Sequence, residues 1–167
     1  NLTLTATAAV ATTGFSIDGS AFTGELGVTG TAAADVVKGG SGKDIISGGA
    51  GAAVADTLTG NGGADKFTII AGATSTTFDT ITDFVTKSDT IDFSGAVAGS
   101  STNYTEATAA VVDFTAALAA ANTALDATVL YSVQQIGSDT YVFADDGATG
   151  SATEVVKLTG VALVGIE

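Results

Sequence analysis

Four aspartates recur at a fixed position within a glycine-rich part of the chain, and they are the side chains best suited to chemistry. They are Asp35, Asp44, Asp56 and Asp65. Each stands two positions before an apolar residue, and nine glycines lie between positions 39 and 67. Glycine reaches backbone conformations closed to other residues, so its turns can aim carbonyl oxygens at a common point. Carboxylate and carbonyl oxygens together are ligands that Ca²⁺ accepts.

The charge balance agrees with cation binding. The chain of 167 residues has 18 acidic and five basic residues, with a formal net charge of −13. It has no basic patch to neutralise phosphates, which disfavours nucleic acid and anionic membrane surfaces as partners. The apolar fraction of 46% argues against a disordered acidic chain.

Missing residue types restrict catalysis. The chain has no His and no Cys, which excludes zinc, haem and iron–sulfur sites and any Ser–His or Cys–His nucleophile. A paired-carboxylate or Ser–Lys site stays formally open. We expect that the chain is not an enzyme.

The aspartates belong to an internal repeat of four consecutive units. The units are "GTAAADVVK" (30–38), "GGSGKDIIS" (39–47), "GGAGAAVADTLT" (48–59) and "GNGGADKFT" (60–68). Three have nine residues, and the third carries a three-residue insertion at Ala52–Val54. The apolar residues in phase are Val37, Ile46, Leu58 and Phe67. A flexible linker has no reason to keep this phase.

Each unit predicts a glycine-rich turn followed by a very short strand with one inward side chain. Two units make one flattened coil, so alternate turns stack. This stacking pairs Asp44 with Asp65 on one edge and Asp35 with Asp56 on the other. Neighbouring turns then supply roughly six oxygens, which suits Ca²⁺ better than Mg²⁺. Because the carboxylates repel one another without a cation, binding of several calcium ions would supply part of the folding free energy.

The flanking segments predict the rest of the fold. In residues 1–29 apolar and Thr residues alternate, which predicts degenerate coils of the same solenoid. Residues 30–70 are predicted to form the calcium-binding roll. Residues 71–167 form a β-rich cap with two strands in Asp79–Gly95, a helix at about 105–125, a hairpin around Gly137 and a last strand, "EVVKLTGV". The fold class is mainly β, a parallel β-roll or β-solenoid with calcium-binding turns, followed by a C-terminal β-rich cap with one α-helix.

The repeat resembles the G-G-x-G-x-D-x-U-x calcium-binding nonapeptide of RTX proteins. Gly39–Ser47 matches at every position, Gly60–Thr68 departs only at Asn61, and Gly30–Lys38 lacks the inner glycines. The resemblance implies calcium turns built from Gly39, Gly40, Gly42, Asp44, Gly48, Gly49, Gly51, Asp56, Gly60, Gly62, Gly63 and Asp65, with Asp35 in the degenerate unit.

Two roles are open for each of the other acidic residues. Asp79, Asp83, Asp89 and Asp92 either bind a further ion where the roll meets the cap or cap loops, and Asp83 and Asp89 are kept as candidate ligands. The "DDG" segment at 145–147 is a turn, with a fragment of a calcium loop as the alternative.

The resemblance also implies a function. Such chains leave the bacterial cytosol unfolded through a type I (ABC) exporter and fold on extracellular calcium, and the final "KLTGVALVGIE" is compatible with an uncleaved export signal. The composition resembles that of surface-layer proteins, which predicts a secreted module on a Gram-negative cell surface that self-associates in a lattice, with a cell-surface polysaccharide as a further candidate partner. The alternatives are the terminal module of a large RTX adhesin, or the secretion and folding module of a hydrolase or epimerase.

Overall fold

The computed structural model describes residues 1–5, 13–49, 54–70, 77–147 and 149–163. Its first part is a coil of short parallel strands, which we call the roll. The strands of the roll are β1 (Leu2–Thr5), β2 (Ser16–Asp18), β3 (Leu26–Thr29), β4 (Val36–Lys38), β5 (Ile45–Ser47), β6 (Thr57–Thr59), β7 (Lys66–Ile69), β8 (Asp79–Ile81) and β9 (Thr90–Phe93).

Successive strands of the roll alternate between two sheets. One sheet has the order β1-β3-β5-β7-β9, and the other contains β2, β4, β6 and β8 as neighbours. All of these pairs are parallel, with Val37 opposite Leu58 and Ile46 opposite Phe67. Two nine-residue units therefore make one coil, as the sequence predicts.

The roll has a narrow interior filled by one or two apolar side chains from each of the strands β3 to β9. Val37, Ile46, Leu58 and Phe67 have no exposed surface. Ile81 continues one row and is also fully buried. The four phased residues of the repeat are thus confirmed as core residues.

Residues 1–29 contribute strands to the same roll. Leu2 pairs with Leu26 in parallel, and Ser16 pairs with Val36. These strands follow no glycine–aspartate unit, yet the alternation of apolar and small polar residues is enough to place them in register.

The second part of the fold, which we call the cap, contains β10 (Tyr104–Glu106), α1 (Phe114–Ala124), β11 (Tyr131–Ile136), β12 (Asp139–Ala144) and β13 (Glu154–Leu158). β11 and β12 form the predicted hairpin, and β13 pairs antiparallel to β12 and parallel to β8. The sheet order β10-β11-β12-β13-β8-β6-β4-β2 shows that the cap extends one sheet of the roll.

The helix is shorter than the predicted 105–125. Thr105 lies in β10 and pairs with Ser132, so sheet pairing overrides the local helical pattern there. Asp113 caps the helix N-terminus by accepting a hydrogen bond from the Ala116 N–H at 2.8 Å. Ala117 is fully buried and packs in a cluster with Phe143. No helix among the described residues is both long and apolar enough to cross a bilayer.

Candidate metal centre

The aspartates of the repeat form two columns along the edges of the roll. The first column contains Asp35, Asp56 and Asp79, and the second contains Asp44, Asp65 and Asp89. Each immediately precedes a strand residue that pairs with its counterpart in a neighbouring coil, for example Val36 with Thr57 and Lys66 with Thr90. The strand register confirms the predicted stacking of Asp44 on Asp65 and of Asp35 on Asp56.

One carboxylate oxygen of each aspartate ties two coils together. Oδ1 of Asp56 accepts the Asp35 N–H and Oδ1 of Asp65 accepts the Asp44 N–H, both at 2.8 Å. Asp79 and Asp89 continue the two series at 3.0 Å by accepting the N–H groups of Asp56 and Asp65. Each column is therefore a ladder in which one coil's carboxylate binds the backbone of the coil before it.

The second carboxylate oxygen shapes its own turn. Oδ2 of Asp44 accepts the Gly40 N–H at 2.6 Å, and Oδ2 of Asp35 accepts the Thr31 N–H at the same distance. Oδ2 of Asp89 accepts the Val85 N–H at 2.9 Å. These bonds hold the carboxylates inside the turns, where backbone oxygens also gather.

The repeat glycines leave room for oxygens of the neighbouring turn. A Cβ on Gly40, Gly42 or Gly63 would collide with the carbonyl oxygen of Phe22, Gly24 or Gly42, respectively. Gly49 and Gly63 also have φ values of +101° and +131°, which side chains rarely adopt. The glycines thus form cradles lined by carbonyl oxygens beside the carboxylates.

Two departures from the repeat are compensated locally. Thr31 stands where the second glycine would be, and its hydroxyl donates to Oδ2 of Asp35 at 2.9 Å. Asn61 adopts a left-handed conformation with φ of +65°, and its side-chain amide donates to the Gly39 carbonyl at 2.7 Å. Asp83 accepts the Asn61 N–H at 2.7 Å. The degenerate unit therefore keeps its turn geometry.

The columns carry buried negative charge. Burial and the Asp79 and Asp35 carboxylates raise the pKa of Asp56 to about 7, although the Asp35 N–H opposes the shift. Burial and the charges of Asp89, Asp44 and Asp83 raise the pKa of Asp65 to about 6, opposed by the Asp44 N–H. Burial also raises the pKa of Asp79. Burial is the shared cause, because it takes the carboxylates out of water; neighbouring carboxylate charges add to the shift for Asp56 and Asp65 only.

Lysines do not neutralise these columns in the described part of the chain. The three salt bridges found there join Lys38 to Asp18, Lys66 to Asp92 and Lys157 to Asp139. Asp92, for which the sequence leaves both an ion-binding and a loop-capping role open, thus pairs with a lysine on the outside of the roll. The described residues also contain no cluster of three acidic, His or Cys side chains placed to hold a metal.

Carbonyl oxygens must then supply the remaining ligands, and the glycine cradles provide them. Carboxylate and carbonyl oxygens in stacked turns fit Ca²⁺, whose coordination sphere is large and flexible. The residues that would hold it are the aspartates of the columns and the turns that precede them.

The structure brings most of the predicted site residues into adjacent turns. Gly39, Gly40, Gly42 and Asp44 stack against Gly60, Gly62, Gly63 and Asp65, where the Gly62 N–H donates to the Gly40 carbonyl at 3.1 Å. Gly48, Gly49 and Asp56 stack against the turn of Asp35. Gly51 lies outside the described residues, as do Ala52 and Ala53 of the insertion.

Asp83 and Asp89 lie in the turn that follows β8, next to the turn of Asp65. Asp79, for which the sequence leaves both a ligand and a loop-capping role open, continues the first column. Its spacing was the available signal, since it lies 23 residues after Asp56 and Asp89 lies 24 residues after Asp65. A search for the strict nonapeptide does not detect this coil, because the coil is longer than two nine-residue units.

Comparisons with known proteins agree with this geometry. A family model of the RTX calcium-binding nonapeptide repeat matches residues 28–54 and 55–68. The solution structure of the AlgE6R3 subunit of the Azotobacter vinelandii mannuronan C5-epimerase has a similar fold, with a TM-score of 0.51 and 23% identity. That match covers 88% of this chain and 71% of the other. No curated protein sequence matches the chain significantly.

Proposed function

We propose that the chain is a calcium-dependent folding and assembly module of a secreted bacterial surface protein. The premise is that residues 28–68 are RTX calcium-binding nonapeptide repeats on a β-roll. The observation that carries the proposal is the pair of buried aspartate columns. Five of their six carboxylates are at least nine-tenths buried. Such charges are costly unless a cation compensates them.

The chain's own residues explain the calcium dependence. The aspartates orient the turns by binding backbone N–H groups, and the glycines expose carbonyl oxygens beside them. Bound calcium neutralises the columns. Without it, repulsion between neighbouring carboxylates adds to the entropy cost of ordering glycine-rich turns. Folding of the roll is thus coupled to the calcium concentration.

This coupling fits export in an unfolded state. In a cytosol low in calcium the roll would stay unfolded and pass through a type I exporter, and extracellular calcium would then fold it. Folding outside the cell prevents return through the exporter. RTX repeats are typical of secreted extracellular proteins, which supports this part of the proposal.

We further propose a structural, non-enzymatic role in a surface layer of a Gram-negative bacterium, with self-association into a lattice. The support is compositional: the sequence has no His, no Cys and no Arg, and it is rich in Ala, Thr, Gly and Val. A cell-surface polysaccharide is the proposed external ligand of such a lattice.

The calcium part of the proposal is tested by circular dichroism of the purified chain in EDTA and in millimolar calcium. We expect the β signal of the roll to appear only with calcium. The variant D44N/D65N should lose this response, whereas D126N should keep it because Asp126 caps an exposed turn in the cap. Equal spectra with and without calcium would contradict the proposal.

The lattice part is tested by electron microscopy of the same chain in millimolar calcium. We expect two-dimensional sheets that disappear in EDTA. Calcium-folded monomers that never assemble would contradict the lattice role of this chain and favour an adhesin or enzyme accessory module.

A further inference from the structure

One asparagine of the repeat stands directly before a glycine, the sequence context in which an asparagine side chain loses ammonia most easily. In this reaction the backbone nitrogen of the following residue attacks the side-chain amide, and glycine has no Cβ to hinder it. The pair is Asn61 and Gly62, whereas the other asparagines precede Leu, Tyr and Thr: Asn1, Asn103 and Asn122. The repeat does not require an asparagine here, since Gly40 occupies the same position of its own unit.

The stacked coils hold both reacting groups of this pair. The side-chain amide of Asn61 donates to the Gly39 carbonyl at 2.7 Å, and the Gly62 N–H donates to the Gly40 carbonyl at 3.1 Å. On the other side, the Asn61 N–H donates to a carboxylate oxygen of Asp83 at 2.7 Å. Asn61 is therefore clamped between the coil before it and the coil after it.

This clamp opposes the reaction in the folded roll. Attack requires the Gly62 nitrogen to lose its proton and to approach Cγ of Asn61. In the roll, that N–H is bonded to one carbonyl oxygen and the side-chain amide is held on another. Asn61 itself is exposed, so hydrogen bonding rather than exclusion of water protects it. The protection is lost when the neighbouring coils separate.

We propose that Asn61 is a deamidation site that the stacked coils protect and that loss of calcium exposes. The calcium step rests on the proposed function, in which the roll unfolds without the ion. The site needs no enzyme and no cofactor, because the nucleophile is the chain's own backbone and the only co-reactant is water.

The reaction proceeds in two steps once the coils have separated. The Gly62 nitrogen gives its proton to a base in solvent and bonds to Cγ of Asn61. The Cγ–Nδ2 bond breaks, and the side-chain nitrogen takes a proton from solvent and leaves as ammonia. Water then opens the resulting succinimide ring, which leaves either aspartate or isoaspartate at position 61.

Either product should hinder the return to the folded roll. A carboxylate at position 61 cannot donate to the Gly39 carbonyl, and it adds a negative charge next to Asp83. Isoaspartate also lengthens the backbone by one carbon, which shifts the turn out of its nine-residue phase. The modification is therefore an irreversible record of the time that the roll has spent without calcium.

Peptide mapping by mass spectrometry tests the site on the full chain. Samples are kept for several days at mildly alkaline pH in calcium, in EDTA and in urea, and circular dichroism reports whether the roll is folded in each. We expect Asn61 to deamidate about tenfold or more faster in EDTA than in calcium, because reaction occurs through the opened state. The rates in EDTA and in urea should be similar.

The matched control is G62A. An added Cβ at Gly62 approaches only Ser41, at 3.7 Å or more, which is ordinary contact, so the variant should still fold with calcium. Its methyl group hinders the attacking nitrogen, and we expect slower deamidation in EDTA than in the unmodified chain. N61D should need more calcium to fold, whereas N61G, which supplies the glycine of the repeat, should not.

The proposal is overturned if circular dichroism shows an unfolded roll in EDTA and Asn61 still deamidates no faster than in calcium. It is equally overturned if G62A deamidates at the rate of the unmodified chain. A third result separates the site from the proposed function. If the roll stays folded in EDTA and Asn61 deamidates only in urea, protection by the coils stands, and calcium-dependent folding falls.

Discussion

The roll and the cap are joined in one sheet but are stabilised by different interactions. The roll buries one or two apolar side chains in each of the strands β3 to β9 and places buried aspartates at its edges. The cap packs Phe114, Tyr141 and Phe143 together with Phe78, the residue before β8 of the roll, with ring centroids 5.1 to 5.9 Å apart. Such aromatic contacts add to the stability gained from apolar burial.

This difference predicts that folding of the roll depends on calcium and that folding of the cap does not. The cap gains its stability from burial of apolar surface, which does not depend on calcium. The roll encloses little apolar volume for the buried charge that it carries, so we expect a cation to decide its stability. The roll and the cap are joined where β8 pairs with β13.

Calcium removal should separate the regions most strongly. In EDTA we expect backbone amides of residues 30–70 to lose protection against hydrogen exchange, because the aspartate columns repel without a cation. Amides of β11 and β12 should stay protected. Mass spectrometry of exchanged peptides measures both regions in one sample. Equal loss of protection in roll and cap would show that they fold as one calcium-dependent unit.

Truncation of two fully buried phenylalanines compares the two cores. Phe67 lies in the roll and Phe143 in the cap, and neither is exposed. We expect F67A and F143A each to cost about 3 to 5 kcal/mol in unfolding free energy. Calcium titrations followed by circular dichroism should show a higher calcium midpoint for F67A only. A similar increase for F143A would contradict the separation of the cores.

Two exposed glycines with positive φ test the carbonyl cradles. Gly63 in the roll has a φ of +131°, and its Cβ would collide with the Gly42 carbonyl. Gly137 in the cap hairpin has a φ of +61° and nothing within 4 Å of the added Cβ. We expect G63A to cost about 2 kcal/mol or more and G137A about 1 kcal/mol, by denaturant unfolding in calcium. Equal costs would show that the cradle is not tightly formed.

The smallest expected effect is the pH dependence of calcium binding. Since the pKa of Asp56 is raised to about 7, protons compete with calcium below that pH. We expect the calcium midpoint to be roughly tenfold higher at pH 6 than at pH 7.5. Calorimetry at the two pH values measures it, and D56N should show a weaker dependence. An unchanged dependence in D56N would assign the proton to another group.

The ion-free roll should respond to pH with the opposite sign. A carboxyl whose pKa is higher in the folded state binds more protons there than in the unfolded chain. The ion-free fold is therefore favoured at low pH and loses stability as the pH rises through about 4 to 7, the range set by Asp56 and its unfolded reference. Calcium should reverse this trend.

Local patterns made much of the fold predictable. The regular spacing of Val37, Ile46, Leu58 and Phe67 predicted the coils, and the glycine–aspartate pattern predicted the turns. Both predictions were possible because each coil repeats the same short-range geometry. The helix boundary was less predictable, since Thr105 belongs to β10 only through pairing with β11. The sequence leaves the role of Asp79 open because its coil is longer than the repeat.

The sequence by itself determined a calcium-binding roll of parallel coils, because the nonapeptide encodes turn, strand and ligand within nine neighbouring residues. Only the tertiary structure decided how the roll ends. The pairing of β13 with β8 and the burial of Glu154 depend on residues far apart in the chain. Burial and electrostatic coupling are properties of packed surfaces, and no local pattern encodes them.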